Sequence, residues 1–373
     1  MTGTRRAKRP GSRKQSRTPH AINEPIAPNP MAQVGFTGSR HLIPDRIPSA
    51  RRVGEQTVCL RVIDLNEETV AQIARLSGSL RRLDMSALRL VRLNEDFVAS
   101  LERLERLDLS HNRLNDEAFP ANFQKLKHLH ELNVHDNKLT ALPKGVKRLK
   151  DLSRLKIGHN KLTATDGIER LKRLQILMLE NNNIESVPRE VFTNLRKLEI
   201  MHCAHNNIRD IPADIRFLRH LKDLDLAGNK LISLPPDLFL LPRLEVLNAS
   251  NNKISRVPTI NIKGRLNRKL VSIDLSDNTL VKFPEHLLFM TEKLDLCRNK
   301  IKSIPLSVLK KMDPGTEQEL LISDNPLVNP PLDVADCGIR SIVQYFQEAK
   351  MDIKMYQGIK VRKKSFSLTL NTQ

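Results

Sequence analysis

One motif recurs along this chain about every 23 residues, and that recurrence restricts the available folds more than any other feature. The template is L-x-x-L-x-L-x-x-N-x-L. Its asparagine falls at Asn112, Asn137, Asn160, Asn182, Asn206, Asn229, Asn252, Asn278, Asn299 and Asn325, at spacings of 21 to 26 residues. An N-terminal copy begins at Leu80. There Leu83, Met85 and Leu90 are in place, and Leu88 stands where asparagine belongs. A unit this short cannot bury an apolar face alone, so stacked copies have to share one core.

Each part of the template has a physical cause. The L-x-L stretch (Leu107 and Leu109, Leu177 and Leu179, Leu224 and Leu226) reads as a short strand with its leucines inward. Successive strands are expected to pair in parallel. The asparagine amide carries both donors and acceptors for backbone groups that a turn leaves unpaired, so stacked copies predict a ladder of bonds. Six residues after the asparagine stand Pro143, Pro188, Pro212, Pro235, Pro258, Pro284 and Pro305. Proline fixes φ and lacks a donor, which suits a turn into a short convex helix. Ala118 and Asp166 replace it in two repeats, and an insertion surrounds Lys263-Gly264-Arg265. The fold class that follows is α/β: a horseshoe-shaped solenoid with a parallel concave sheet, about 11 repeats, and caps at both ends.

The template and its proline resemble the leucine-rich repeats of the Ras-suppressor and SHOC-like proteins. The closing run Asp324-Asn325-Pro326-Leu327, with Pro330, Pro331, Gly338, Ile342 and Tyr345, is similar to that group's final element. The resemblance spans roughly residues 80–348. It implies an intracellular signalling scaffold or adaptor without catalytic repeats, and a small GTPase or signalling enzyme as the class of partner.

Composition divides the chain further. Residues 1–52 hold eleven Lys or Arg against Glu24 and Asp45, which gives that segment +9 of the net +20. They also hold seven prolines and little apolar periodicity, so 1–52 reads as a disordered basic arm. Residues 53–79 read as an N-terminal cap, 80–331 as the repeats, 332–349 as one C-terminal capping helix with Ile339, Ile342, Val343 and Phe346 inward, and 350–373 as a basic tail. Cys59, Cys203, Cys297 and Cys337 are scattered, unlike the disulfide-rich caps of secreted repeat proteins. No secretory signal, membrane-spanning run or lipidation motif is evident. The expectation is a soluble cytoplasmic or nuclear protein without integral membrane insertion.

The concave face consists of the positions six, four, two and one before each asparagine. Most repeats place polar residues there, but two neighbours place Ile176 and Met178, then Ile200 and His202. Arg154 and Lys156 precede them, and Asp223 and Asp225 follow. An apolar centre between a basic and an acidic column has the make-up of a partner-binding interface. Asp84, Asp108, Asp225, Asp274 and Asp295 recur at one template position and read as a solvated acidic stripe that would repel phosphates. His111, His135, His159, His202 and His205 gather nearby, but Cys203 falls in the core register, so neither a metal site nor any cofactor is expected. No nucleophile–base pair or phosphate-cradling glycine loop occurs, so an enzyme is not expected.

Arg5, Arg6, Lys8, Arg9, Arg13 and Lys14 resemble a bipartite nuclear-import signal, or a tail that binds polyanions weakly. Thr18 before Pro19, and Ser365 after Arg362-Lys363-Lys364, are phosphorylation candidates. Basic residues within the repeats, such as Lys150, Lys172, Arg196 and Arg219, read as solvated charges on convex and turn positions. Three functions stay open: a signalling scaffold that holds a protein on the concave face; a regulatory or targeting subunit of a phosphatase or ubiquitin ligase; and a nuclear, nucleic-acid-associated protein acting through its arm.

Overall fold

The computed structural model describes residues 56–59, 79–259, 270–305, 308 and 318–348. The import candidates, Thr18, Ser365, the basic arm and tail, most of the expected N-terminal cap and the Lys263-Gly264-Arg265 insertion lie outside the described residues.

Twelve strands form one sheet in strict chain order. They are β1 (Gln56–Cys59), β2 (Leu80–Asp84), β3 (Arg106–Asp108), β4 (Glu131–Asn133), β5 (Arg154–Lys156) and β6 (Ile176–Met178). Then follow β7 (Ile200–His202), β8 (Asp223–Asp225), β9 (Val246–Asn248), β10 (Ser272–Asp274), β11 (Lys293–Asp295) and β12 (Glu319–Leu321). Neighbours pair in parallel, and equivalent template positions face each other from β2 onward, as in Leu155↔Leu177↔Met201↔Leu224.

Most strands are three residues long because the chain turns out of the sheet just before each asparagine. The residue there has positive φ in every repeat: His111, Asp136, His159, Asn181, His205, Gly228, Asn251, Asp277, Arg298 and Asp324. Such backbone is uncommon for residues other than glycine, and Asn, Asp and His tolerate it best. These are the types that dominate here.

The ten asparagines are buried and make the expected ladder. Asn182 is representative. Its Oδ1 accepts from the Leu162 N–H at 2.9 Å, and its Nδ2 donates to the Ile157 carbonyl of the preceding repeat at 3.1 Å and to its own Leu179 carbonyl at 3.0 Å. Asn160 and Asn206 repeat the pattern. The template leucines form one continuous apolar core beneath the sheet. On the convex side the chain makes single helical turns, mostly 3-10, such as Ala213–Phe217 and Pro236–Leu240. Pro188, Pro212 and Pro235 sit directly before such turns with φ between −66° and −70°, where the missing N–H costs nothing. Phe123, Phe192 and Phe239 are fully buried beneath that layer.

The C-terminal end corrects the sequence reading. Residues 332–349 do not form one helix. Leu332–Asp336 is a short helix, and residues 339–348 are helical again. Between them Gly338 has φ of +86°, the left-handed conformation that ends a helix. Ile339, Ile342, Val343 and Phe346 are buried against the core.

Replacing Asn182 by Leu keeps the branched heavy-atom skeleton but strands the Leu162 N–H and the carbonyls it bridges. Each buried unpaired group costs about 1–3 kcal/mol. Urea unfolding of Asn182→Leu should therefore show a loss of about 3 kcal/mol; an unchanged midpoint would remove the ladder as a stabilising element.

Candidate protein-binding face

On the concave face, the position four before the asparagine has a local task in most repeats. The side-chain oxygen of Asp84 accepts the Ser86 N–H at 2.9 Å, that of Asp108 the Ser110 N–H at 2.9 Å, and that of Asn133 the His135 N–H at 3.1 Å. Asp225, Asn248, Asp274 and Asp295 do the same for Ala227, Ser250, Ser276 and Cys297 at 2.8–3.1 Å. Each closes a turn that the backbone alone leaves open. The recurring aspartates are thus turn-closing groups, and the acidic stripe read from the sequence is first a structural device.

That device is missing from three consecutive strands. β5, β6 and β7 carry Lys156, Met178 and His202 at this position. A lysine ammonium and a thioether cannot close the turn. The register places Arg154, Ile176, Ile200 and Asp223 in one row and Lys156, Met178, His202 and Asp225 in the next. All eight residues that the sequence singled out are therefore brought together on four adjacent strands, roughly 15 Å across at ~4.8 Å per strand. Ile176, Met178 and Ile200 are half-buried among their neighbours. Val246, one strand beyond Asp223, is 38% exposed and extends the apolar row. The sequence reading missed it, although its place six before Asn252 marks it as concave.

The charges flanking this centre are partly matched within the chain. Glu131 lies 3.5 Å from both Arg154 and Lys156 and 3.8 Å from Arg106. His202 Nε2 lies 3.1 Å from Asp223 Oδ2. That bond raises the His202 pKa above its ordinary 6.5; burial opposes the shift, and Asp225 and Glu180 add to it. Above the row, His111, His135 and His159 stand in line, with ring centroids 5.7 and 4.6 Å apart. His111 Nδ1 sits 2.8 Å from Asp136, and His135 sits 3.6 Å from Glu180. Burial first, then His159, lowers the His135 pKa. Glu180 lies across Gly158, where a Cβ would meet its Oε1 at 2.5 Å, so that glycine keeps the space open. Its Oε2 is buried without a hydrogen-bond partner.

His205 lies beside Gly228. Cys203 is buried in the core, where burial pushes its thiol pKa up. Among the described residues, no three His, Cys, Asp or Glu side chains are grouped to hold a metal ion. No helix among the described residues is long and apolar enough to cross a membrane.

Comparisons with known proteins agree with this architecture. Leucine-rich-repeat family models match residues 102–147 and 172–231. The fold is that of a leucine-rich-repeat solenoid. A search of curated protein sequences returned no match. Among solved structures, a leucine-rich-repeat protein of Leptospira interrogans is 28% identical, with a TM-score of 0.51 over 70% of this chain and 76% of that one. TLR13 in complex with ssRNA13 is 26% identical, with a TM-score of 0.56 over 69% of this chain and 38% of that one. The leucine-rich-repeat ectodomain of the Arabidopsis thaliana receptor kinase GASSHO1/SCHENGEN3, in complex with CASPARIAN STRIP INTEGRITY FACTOR 2, is 23% identical. Its TM-score is 0.53, over 66% of this chain and 36% of that one. The chain thus spans little more than a third of each of these last two chains. Leucine-rich-repeat solenoids commonly serve as non-catalytic protein-binding modules.

The His202–Asp223 bond gives a pH test. The imidazolium is favoured in the folded chain, so the stability it contributes is complete below 6.5 and is lost as the pH rises through the raised value. In an NMR titration, Asp223→Asn should bring the His202 midpoint down; a midpoint that stays in place would show that Asp223 does not hold the proton.

Proposed function

We propose that this chain is a non-catalytic intracellular adaptor that docks a protein partner across β5–β8. The observation that carries the reading is the run Lys156, Met178, His202, where three successive repeats give up the turn-closing Asp or Asn. An acceptor there stabilises its own repeat. Its replacement by a cation, a thioether and an imidazole side by side gives up the local acceptor: Lys156 and His202 turn to Glu131 and Asp223 instead, and Met178 presents an apolar surface to an outside ligand. Met adapts to irregular partner surfaces, and Ile176 and Ile200 supply an apolar centre of the kind that carries binding energy.

The partner segment that fits carries an acidic group opposite Arg154 and Lys156, an apolar side chain over Met178 and Ile200, and a basic group opposite Asp223 and Asp225. The resemblance to the Ras-suppressor and SHOC-like proteins favours a small GTPase or signalling enzyme as that partner. A regulatory or targeting subunit of a phosphatase or ubiquitin ligase would use the same face to recruit its enzyme. The cytoplasm, with entry to the nucleus through the basic arm, is the proposed location; a fluorescent fusion lacking residues 1–20 should lose any nuclear signal.

Met178→Asp with Ile200→Asp places two carboxylates at the centre of the patch. Both positions are half-buried on the open face, so the melting curve should hold. Partner recovery in pull-down should fall at least about tenfold, equivalent to roughly 1.4 kcal/mol. Val281→Asp, an exposed position away from the patch, serves as the control. Undiminished recovery by the double variant would remove this site.

A further inference from the structure

The proposed concave site leaves the chain's positive charge unexplained. The basic residues that the sequence scatters over turns and helices fall into columns, because the repeats stack in register. On the loops that enter the strands, nine and ten residues before each asparagine, stand Lys127, Lys150, Lys172, Arg196, Lys197 and Arg219, all exposed. Contacts between successive repeats show the column directly. Arg173 Nη1 lies 2.5 Å from Asp151, the equivalent residue one repeat earlier, and His220 Nδ1 lies 2.9 Å from the carbonyl of Arg196. A backbone ladder alongside holds the loops together: Ser153 N–H to His130 O, Gln175 to Ser153, Glu199 to Gln175 and Lys222 to Glu199, each at 2.8 Å.

This flank carries cations through five successive repeats without a break, whereas the column one residue after the asparagines, with Lys138, Lys161 and Lys230, is interrupted by Asn183 and Asn207. The flank's only acid at these positions between Lys127 and Arg219 is Asp151, and Arg173 already neutralises it. Among the described residues, no carboxylate lies within ion-pair distance of Lys127, Lys150, Lys172, Lys197 or Arg219. On the concave face, by contrast, Arg106, Arg154 and Lys156 are all matched by Glu131.

From this we infer that the strand-entry flank is a binding surface for a linear polyphosphate, the backbone of a double-stranded nucleic acid, contacted through its phosphates without base readout. A cation row rising ~4.8 Å per repeat over five repeats runs roughly 20 Å. A duplex presents one negative charge per ~1.7 Å of its axis, so each cation finds a phosphate. Single strands are held by stacking bases on aromatic rings. The phenylalanine beside this flank, Phe217, is half-buried and already covered by Arg196 and Arg216, with the guanidinium carbons 5.8 and 5.2 Å from its centroid, and the His220 ring is tied to the Arg196 carbonyl. A membrane surface is engaged by cations together with an inserted apolar side chain, and no large apolar side chain is exposed between Lys127 and Arg219. The concave aspartates that oppose phosphate face elsewhere and do not meet this ligand.

The test uses the full chain, with its basic arm present in every variant, and a fluorescein-labelled 30-base-pair DNA duplex followed by anisotropy across a salt series. The flank variant combines Lys172→Glu, Lys197→Glu and Arg219→Glu. The control combines Lys138→Glu, Lys161→Glu and Lys230→Glu, exposed residues on the loops that leave the strands at the opposite edge of the sheet. Both variants change the net charge equally. The control should keep the wild-type affinity within about threefold. The flank variant should lose at least tenfold, and its salt slope should fall by about 0.9 for each cation removed. Should either melting curve move, glutamine replacements at the same positions ask the same question with a smaller perturbation. Equal losses in both variants, no binding by the wild type at low salt, or retention on phosphatidylserine vesicles in preference to the duplex would each overturn the inference.

Discussion

A single amide sets the geometry on which every surface of this protein is built. The buried asparagine of each repeat accepts an N–H from the preceding repeat and donates both to that repeat and to its own turn. It cannot satisfy both sides unless the two copies stand in one register. Equivalent side chains of successive repeats are thereby aligned, and a template that is only a local pattern in the sequence becomes a set of columns in space. The leucine columns close the core. The remaining columns decide what the molecule can touch.

Those columns divide the work. The position four before the asparagine closes turns wherever it is Asp or Asn and stops doing so at Lys156, Met178 and His202, and again at Leu321 in the last strand. The concave face therefore changes character in the middle, from side chains that close their own turns to side chains that pair across strands or, at Met178, present an apolar surface. Around that centre Glu131 gathers three cations, and Asp223 holds His202, which keeps the flanking side chains ordered before any partner arrives. Pre-ordering of this sort lowers the entropic cost of association. The entry flank is built on the opposite principle. Apart from Arg173, which pairs with Asp151, its cations are left without acids, and their mutual repulsion is tolerated because they stand in high dielectric, where like charges interact weakly.

Much of this was legible in the sequence, because the solenoid period is short and each leucine, proline and asparagine has one dominant reason to be where it is. Strand positions, sheet order, the asparagine ladder and the contiguity of Arg154 through Asp225 all follow from the register. The aspartates were misread because their recurrence has two explanations, a shared ligand or a shared turn, and only the distances to Ser86, Ser110 and Ser276 decide between them. The break at β5–β7 is itself written in the sequence, as Lys156, Met178 and His202 where Asp or Asn stands in the repeats on either side. The break at Gly338 was missed because the apolar spacing of Ile339, Ile342 and Phe346 continues the helical period across it, and periodicity does not register a single left-handed residue. Val246 is harder to read because its partner in the strand is Asn248, so its repeat shows no apolar pair.

The left-handed residue at the end of each strand has a bearing on how such a chain can change. Its backbone angle excludes β-branched side chains but accepts histidine, aspartate, asparagine, arginine and glycine, and all of these occupy it here. Whatever stands there is thrust outward at the same angle and contributes nothing to the core. The protein therefore carries a row of interchangeable pegs, one per repeat, whose chemistry can be altered singly at little expense to folding. New specificity can be acquired at the rim while the leucines and asparagines underneath stay as they are.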